Sequence, residues 1–133
     1  GGAGDDTLTG GTGADVFKWS LDDQGTTDLP AKDHITDFSV AQGDVLDLKD
    51  LLTGEHSGSS ANLTQYLHFE TADGKATLSV DHDGGSTFAA DQTIKFDNYA
   101  DVNALATALG AASSSDADII AKMIANGNLK TDV

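Results

Sequence analysis

Two consecutive stretches, GGAGDDTLT over residues 1–9 and GGTGADVFK over residues 10–18, place the same residue types at the same spacing. Superposed, Gly1, Gly2, Gly4, Asp6 and Leu8 fall on Gly10, Gly11, Gly13, Asp15 and Phe17. Both stretches fit the nonapeptide G-G-x-G-x-D-x-U-x, in which U is a large apolar residue. The chemistry this offers is ligation by hard oxygens. Glycine reaches positive φ, so a Gly-rich turn can aim several carbonyl oxygens at one point. The Asp at the sixth position adds a carboxylate. Calcium takes six to eight such oxygens, and two stacked turns can supply them together. A flexible linker would have no reason to hold Asp and a large apolar residue in register.

Those turns need a scaffold. The residues after each Asp predict a short strand whose apolar residue points inward, so Leu8 and Phe17 are expected in the core of a parallel β-roll. Residues 20–32 break the period and read as a polar loop. DHITDF from Asp33 and GDVLDL over 43–48 predict two more short strands, with a helical turn over Asp50 to Leu52. Residues 53–62 read as a second loop. YLHFE (66–70) and KATLSVD (75–81) alternate and are joined by Thr71, Ala72, Asp73 and Gly74, a hairpin signal. DHDGG (81–85) reads as a turn and QTIKFDNY (92–99) as a further strand. Asp101 can cap a helix presenting Val102, Leu105 and Leu109. Ser115 with Asp118 resembles a capping box for a second helix to Asn126, with Ile119, Ile120, Met123 and Ile124 as its apolar stripe and Gly127 as its stop.

The fold expected is mainly β: a short calcium-binding β-roll continuing into a small sandwich-like sheet, with one or two helices near the C-terminus. Residues 1–52 would hold the repeats and post-repeat strands, and 53–133 the β/helical part, as one structural unit. Twenty-two acidic residues against seven basic ones give a net charge of -15, and the only Glu are Glu55 and Glu70. Asp suits turns and short-reach oxygen ligation. So large a charge opposes compaction, and bound divalent cations would relieve it. It argues against nucleic acid as a partner. The chain has no Cys, which excludes disulfides and thiolate metal sites. No apolar run is long enough to read as a membrane span. The chain starts in mid-repeat and reads as a fragment, and no N-terminal signal peptide is visible.

The nonapeptides resemble the RTX repeats of secreted toxins, serralysin-type proteases, lipases and large bacterial adhesins. GADVFKW, then a loop holding DQG, then DHITDF and GDVLDL is similar to the segment after the last repeats in type I secretion C-terminal domains. LSVDHDGG, IKF and the closing helix with GNL resemble the adhesin subclass. That resemblance implies one set of calcium ligands from the carbonyls of Gly2 and Gly4 with the Asp6 carboxylate. It implies a second from Gly11, Gly13 and Asp15, with Gly10 contributing across the turn. Asp23 and Asp33 sit where related proteases close the final calcium with acidic residues, although the loop here is longer. The resemblance further implies Ca2+ as cofactor and a secreted or cell-surface bacterial location. Its partners would be an inner-membrane ABC transporter, an adaptor and an outer-membrane channel, reading an uncleaved C-terminal signal. The module itself would be a non-catalytic monomer, with cell adhesion and biofilm as the setting of its subclass.

Other residues weigh less. Asp37, Asp44 and Asp47 could ligate, but the plainer reading is solvated strand and turn carboxylates. Asp81, Asp83 and Gly84 begin like an EF-hand loop whose twelfth position would be Gln92, so a hairpin turn is the better reading. His34, His56, His68 and His82 have no zinc spacing, and no G-x-S-x-G elbow exists. Trp19 and Phe38 read as core or sheet-edge aromatics. Two other functions stay open: the C-terminal part of a secreted protease or lipase with its catalytic domain upstream, and a ligand-binding adhesin module.

Overall fold

The computed structural model describes residues 4–21, 23–26, 28–52, 60–84 and 87–131. The early strands over Val16–Ser20 and Ala31–Ile35 alternate buried and more exposed residues. In β2 (Val16–Ser20), Phe17 and Trp19 are buried while Val16 and Lys18 face solvent. β1 (Thr7–Leu8) pairs in parallel with β3 (Ala31–Ile35), and β2 pairs in parallel with β4 (Val45–Asp50). Successive strands therefore alternate between two sheets, which is the parallel β-roll expected. An uninterrupted array would return to the same sheet after two nonapeptides. Thr7 instead pairs with His34, 27 residues on, because the loop between β2 and β3 adds the length of a third.

A further rung comes from distant sequence. β7 (Gln92–Phe96) adds in parallel to β3, and β8 (Leu129–Lys130) adds in parallel to β4. β5 (Leu67–Ala72) and β6 (Lys75–Val80) form the expected hairpin, and β6 runs antiparallel to β7. The sheets read β1-β3-β7-β6-β5 and β2-β4-β8. The hairpin thus extends the roll's own sheet. Its two-residue turn, Asp73 and Gly74, has φ of 54° and 71°, the double positive φ that a type I′ turn requires.

Between the sheets lies one apolar cluster. Phe17, Trp19, Leu46 and Leu48 face Ile35, Ile94 and Phe96, and Leu8 packs against the same cluster. Phe38 is fully buried, with its ring centroid 6.1 Å from Phe17 and 5.2 Å from Phe96. Beyond β8 two helices take over the role of the second sheet. α1 (Val102–Leu109) packs on β5 and β6, while α2 (Asp116–Asn126) touches β5, β8 and a 3-10 helix at Ser60–Gln65. Asp101 caps α1 by accepting from Ala104 N–H at 2.7 Å, and Gly127 closes α2 at φ 79°. Ser115 caps α2, but the expected reciprocal bond is absent. The Asp118 carboxylate accepts from the Ser113 hydroxyl instead, and Ser113 Oγ accepts from Ser115 N–H. The shorter reach of Asp than Glu explains the difference.

One buried carboxylate ties these layers together. Asp33, on β3, is 2% exposed. It accepts from Asp6 N–H at 2.7 Å, from the Trp19 indole N–H at 2.7 Å and from Gln92 Nε2 at 3.0 Å. β3 is thereby joined to β1's turn, to the opposite sheet and to β7. Asp33→Ala would take the acceptor from the buried Trp19 indole N–H and from the part-buried Asp6 N–H, while Gln92 Nε2 keeps the Thr93 carbonyl at 3.0 Å. At about 1–3 kcal/mol for a stranded donor and with partial relaxation, the expected loss is roughly 2–4 kcal/mol in urea unfolding. The loss should persist in EDTA, whereas a residue acting only as a metal ligand would lose it there.

Candidate metal centre

Where both nonapeptide turns are described, their backbones match at the fourth position. Gly4 and Gly13, at the same repeat position, have φ of 95° and 87°. Gly10 is needed for a different reason: a Cβ there would lie 2.5 Å from Asp15 Oδ2. The sixth-position side chains are also alike. Asp6 Oδ2 and Asp15 Oδ2 are both buried and, among the described residues, accept no hydrogen bond. A buried carboxylate oxygen with no donor costs free energy unless a cation meets it. Among the described residues no backbone N–H donates to the carbonyls of Gly4, Gly10, Gly11 or Gly13. The acceptor set of each turn therefore suits a hard cation.

Four N–H groups of these turns, those of Asp6, Gly10, Gly11 and Asp15, donate to carboxylates of the adjacent rung. In the reverse sense, Lys32 N–H of that rung donates to Asp5 Oδ1 at 2.8 Å. Gly10 and Gly11 donate to the two oxygens of Asp37 at 2.9 and 2.8 Å, and Asp15 N–H donates to Asp44 Oδ1 at 2.9 Å. Gly10 and Gly11 hold the Asp37 carboxyl below the usual carboxylate range. Asp44 is fully buried and also accepts from Ser39 N–H at 2.8 Å. Asp47 is 8% exposed and accepts from Lys49 N–H. Asp44 and Asp47 are buried, so the reading as solvated carboxylates does not hold for them; Asp37 is half-buried and clamps the second turn.

Of the residues singled out from the sequence, the structure brings Asp6 beside Asp33, and Gly10, Gly11 and Asp15 beside Asp37 and Asp44. Asp33 spends both oxygens on N–H donors. Asp23 accepts from Ser20 N–H at 2.9 Å, closing its own loop. Gly2 and His56 lie outside the described residues. Trp19 and Phe38 are core residues, as read from the sequence. His34 bonds Thr7 Oγ1 and Asp97 Oδ2, each at 2.6 Å, and His68 stacks on Phe88 at 3.9 Å.

A second acidic group forms where the sequence suggested a plain turn. Asp81, His82, Asp83 and Asp91 place one ligand atom each within 4.8 Å of one another. Asp81 and Asp91 are buried, and the His82 ring contacts the Asp91 carboxylate. Burial, then the adjoining Asp83, raises the Asp81 carboxyl above the usual range, while the same contact lowers Asp83. The turn itself is present, closed by Gly84 N–H on Asp81 carbonyl. Asp91 is the residue that sequence reasoning missed; its only signal was a lone Asp ten positions after Asp81.

No family model matches this chain, and no curated protein matches it. Among solved structures it is similar to the solution structure of the AlgE6R3 subunit from the Azotobacter vinelandii mannuronan C5-epimerase, with a TM-score of 0.48 and 24% identity. The match covers 72% of this chain and 52% of that chain, so the likeness spans about half of the neighbour's length.

The crowding at Asp81 yields a test. A folded-state pKa above the ordinary value means that the ionised Asp81 destabilises the fold at neutral pH. Asp81→Asn keeps an acceptor for Ala89 N–H and removes the charge. In EDTA at pH 7 the variant should melt a few degrees higher than the parent. That gain should shrink as pH falls through the raised Asp81 pKa, where the parent carries the proton itself. Thermal melts between pH 3 and pH 7 read both effects.

Proposed function

We propose that this chain is a non-catalytic, calcium-binding β-roll module of a secreted or cell-surface bacterial protein of the RTX adhesin kind, acting as a monomer. The observation that carries the reading is the pair of orphaned, buried carboxylate oxygens, Asp6 Oδ2 and Asp15 Oδ2, at the same position of two in-register repeats. The residues that would hold calcium are Asp6 with the carbonyls of Gly2 and Gly4, and Asp15 with those of Gly10, Gly11 and Gly13. Asp33, Asp37 and Asp44 would orient those turns by accepting their N–H groups, and Asp23 would close the loop beside them. Calcium, when bound, supplies the positive charge that the buried carboxylates lack. In a calcium-poor cytosol, carboxylate repulsion and the entropy cost of ordering glycines keep the roll open. At the ~10⁻⁴–10⁻³ M affinities of extracellular modules, it closes outside the cell.

The segment from Asp101 onward is proposed to serve also as the address read by a type I secretion transporter with its adaptor and outer-membrane channel. In the folded chain Ile119, Ile120, Met123 and Leu129 are core residues. Recognition must therefore act on the unfolded chain and use local helical and apolar features. The catalytic-parent alternative, a protease or lipase domain upstream, keeps the same role for these residues.

Two measurements test the reading. Calcium should raise the melting temperature and EDTA lower it, with magnesium a poor substitute because it resists large, irregular oxygen cages. Asp15→Ala should weaken this response more than Asp6→Ala, since Asp15 leads into β2, whose Phe17 and Trp19 are buried in the core, whereas Asp6 leads into the two-residue edge strand β1. Calorimetry that finds no calcium binding at millimolar concentration would sink the proposal. For export, residues 101–133 fused to a passenger should suffice for secretion through the cognate transporter, and their deletion should abolish it. A passenger exported at full yield after the deletion would reduce the segment to a structural role.

A further inference from the structure

A left-handed glycine recurs on three neighbouring rungs of one sheet. β2, β4 and β8 lie side by side. Gly13, Gly43 and Gly127, each just ahead of one of these strands, have φ of 87°, 83° and 79°. The first belongs to a nonapeptide, whereas the last is the stop of α2. The end of a helix thus supplies the turn of the third rung.

Asn128 follows that turn and is 1% exposed. Its N–H donates to the Met123 carbonyl at 2.7 Å, and its carbonyl accepts from Leu46 N–H at 2.8 Å. Its side-chain Nδ2 donates to the Asp44 carbonyl at 2.7 Å. Asp44 is fully buried, and its carboxylate accepts from Asp15 N–H at 2.9 Å and from Ser39 N–H at 2.8 Å. A continuous path therefore runs from the stop of α2, through Asn128 and Asp44, to the backbone of Asp15. Asp15 Oδ2 is itself buried with no donor among the described residues. The turn at Asp6 is held differently, by Asp33, whose other bonds run to Trp19 and Gln92.

The amide of Asn128 does more than fill space. Its Oδ1 is buried and meets no donor among the described residues, a state that costs free energy. An apolar side chain of similar size would avoid that cost and pack as well. It would, however, lose the donor on Asp44. An Asp would lose it too, and would set a carboxylate against a carbonyl oxygen.

We propose that Asn128 is a positioning residue of the second calcium turn. By gripping the Asp44 backbone it holds the Asp44 carboxylate where that group orients Asp15, so calcium affinity at this turn depends on the folded C-terminal rung. The inference rests on the calcium reading of Asp15 and adds its regulation. While the segment from Asp101 onward is unfolded, Asp44 lacks this anchor and the turn binds calcium weakly.

The test is calcium calorimetry on the intact chain and its variants, at a temperature where all are folded. Asn128→Ala should weaken binding roughly fivefold or more, the low end of couplings between sites. Leu129→Ala truncates a core residue of the same rung and controls for lost stability. It should lower the melting temperature in EDTA at least as much, yet bind calcium as the parent does. A double-mutant cycle locates the effect: the loss should remain in an Asp6→Ala background and vanish in an Asp15→Ala background. The parent chain gives a reading that needs no variant. On adding calcium, the NMR signal of the Asn128 side-chain amide should move with the same half-saturation as that of Asp15 N–H. The proposal is overturned if Asn128→Ala binds like the parent, or if Leu129→Ala binds as weakly as Asn128→Ala. It is equally overturned if the Asn128 amide stays still while Asp15 N–H moves. A parent that binds no calcium would remove the calcium reading as well, so the two failures are told apart.

Discussion

The fold hangs on carboxylates of one rung accepting N–H groups from the turn of the next. A glycine-rich turn leaves its amides pointing outward with no strand to receive them, and such groups need partners. Asp33, Asp37 and Asp44 supply them over separations of 26 to 29 residues. Bonds to an ionised acceptor are shorter and stronger than neutral ones. They also determine where negative charge must sit. Placing Asp37 and Asp44 against the second turn brings them beside Asp15, and placing Asp33 against the first brings it beside Asp6. The interaction that shapes the turns thus assembles the charge that a cation would neutralise.

That coupling explains how so acidic a chain can keep a conventional core. Its apolar cluster is continuous, from Phe17 in the first rung to Leu129 in the last. Ion pairs with lysine do little of the neutralising: Lys18 with Asp50 and Lys95 with Asp73 are both on the surface, where such pairs contribute little. Asp33, Asp37 and Asp44 are satisfied by backbone amides, whereas nothing described meets Asp6 Oδ2 and Asp15 Oδ2. A cation bound as proposed would complete an arrangement that these amide bonds have already oriented. Each of the two orphaned oxygens lies in a turn anchored to the rung above, so ordering one turn also orders the strand that follows it.

The features legible in the sequence were those encoded locally. The nonapeptide marked β1 and β2, alternation marked β3 to β6, Asp73-Gly74 marked the hairpin turn, and the caps at Asp101, Ser115 and Gly127 marked the helices. The nine-residue register marked Asp6 and Asp15. What escaped is non-local. β8 is two residues long and has no pattern of its own; it exists because Asn128 Nδ2 donates to Asp44 carbonyl at 2.7 Å and Leu46 N–H donates to Asn128 carbonyl. Asp33 stood out as a candidate ligand by its place after the loop. Its bonds to Trp19 and Gln92 span 14 and 59 residues and leave no trace in spacing. Asp91 joined Asp81 and Asp83 only because the loop between them folds back.

The third rung has a further consequence for assembly. β7 and β8 come from residues 92 and 129 onward, yet they pair with β3 and β4 next to the repeats. Long-range parallel pairing is entropically slow, because the loop must close before contacts reward it. In this chain, local structure at the far end lowers that barrier. The β5–β6 hairpin and two capped helices can form from neighbouring residues, and β6 then receives β7. With β7 and β8 in place, the earlier strands have an edge to add to, first β3 and β4, then β1 and β2. If the C-terminal segment leaves the cell first, as the proposed function has it, this template stands outside before the nonapeptides emerge. Calcium would then be needed only for the last and most charged step, the stacking of the glycine turns onto carboxylates already held in line.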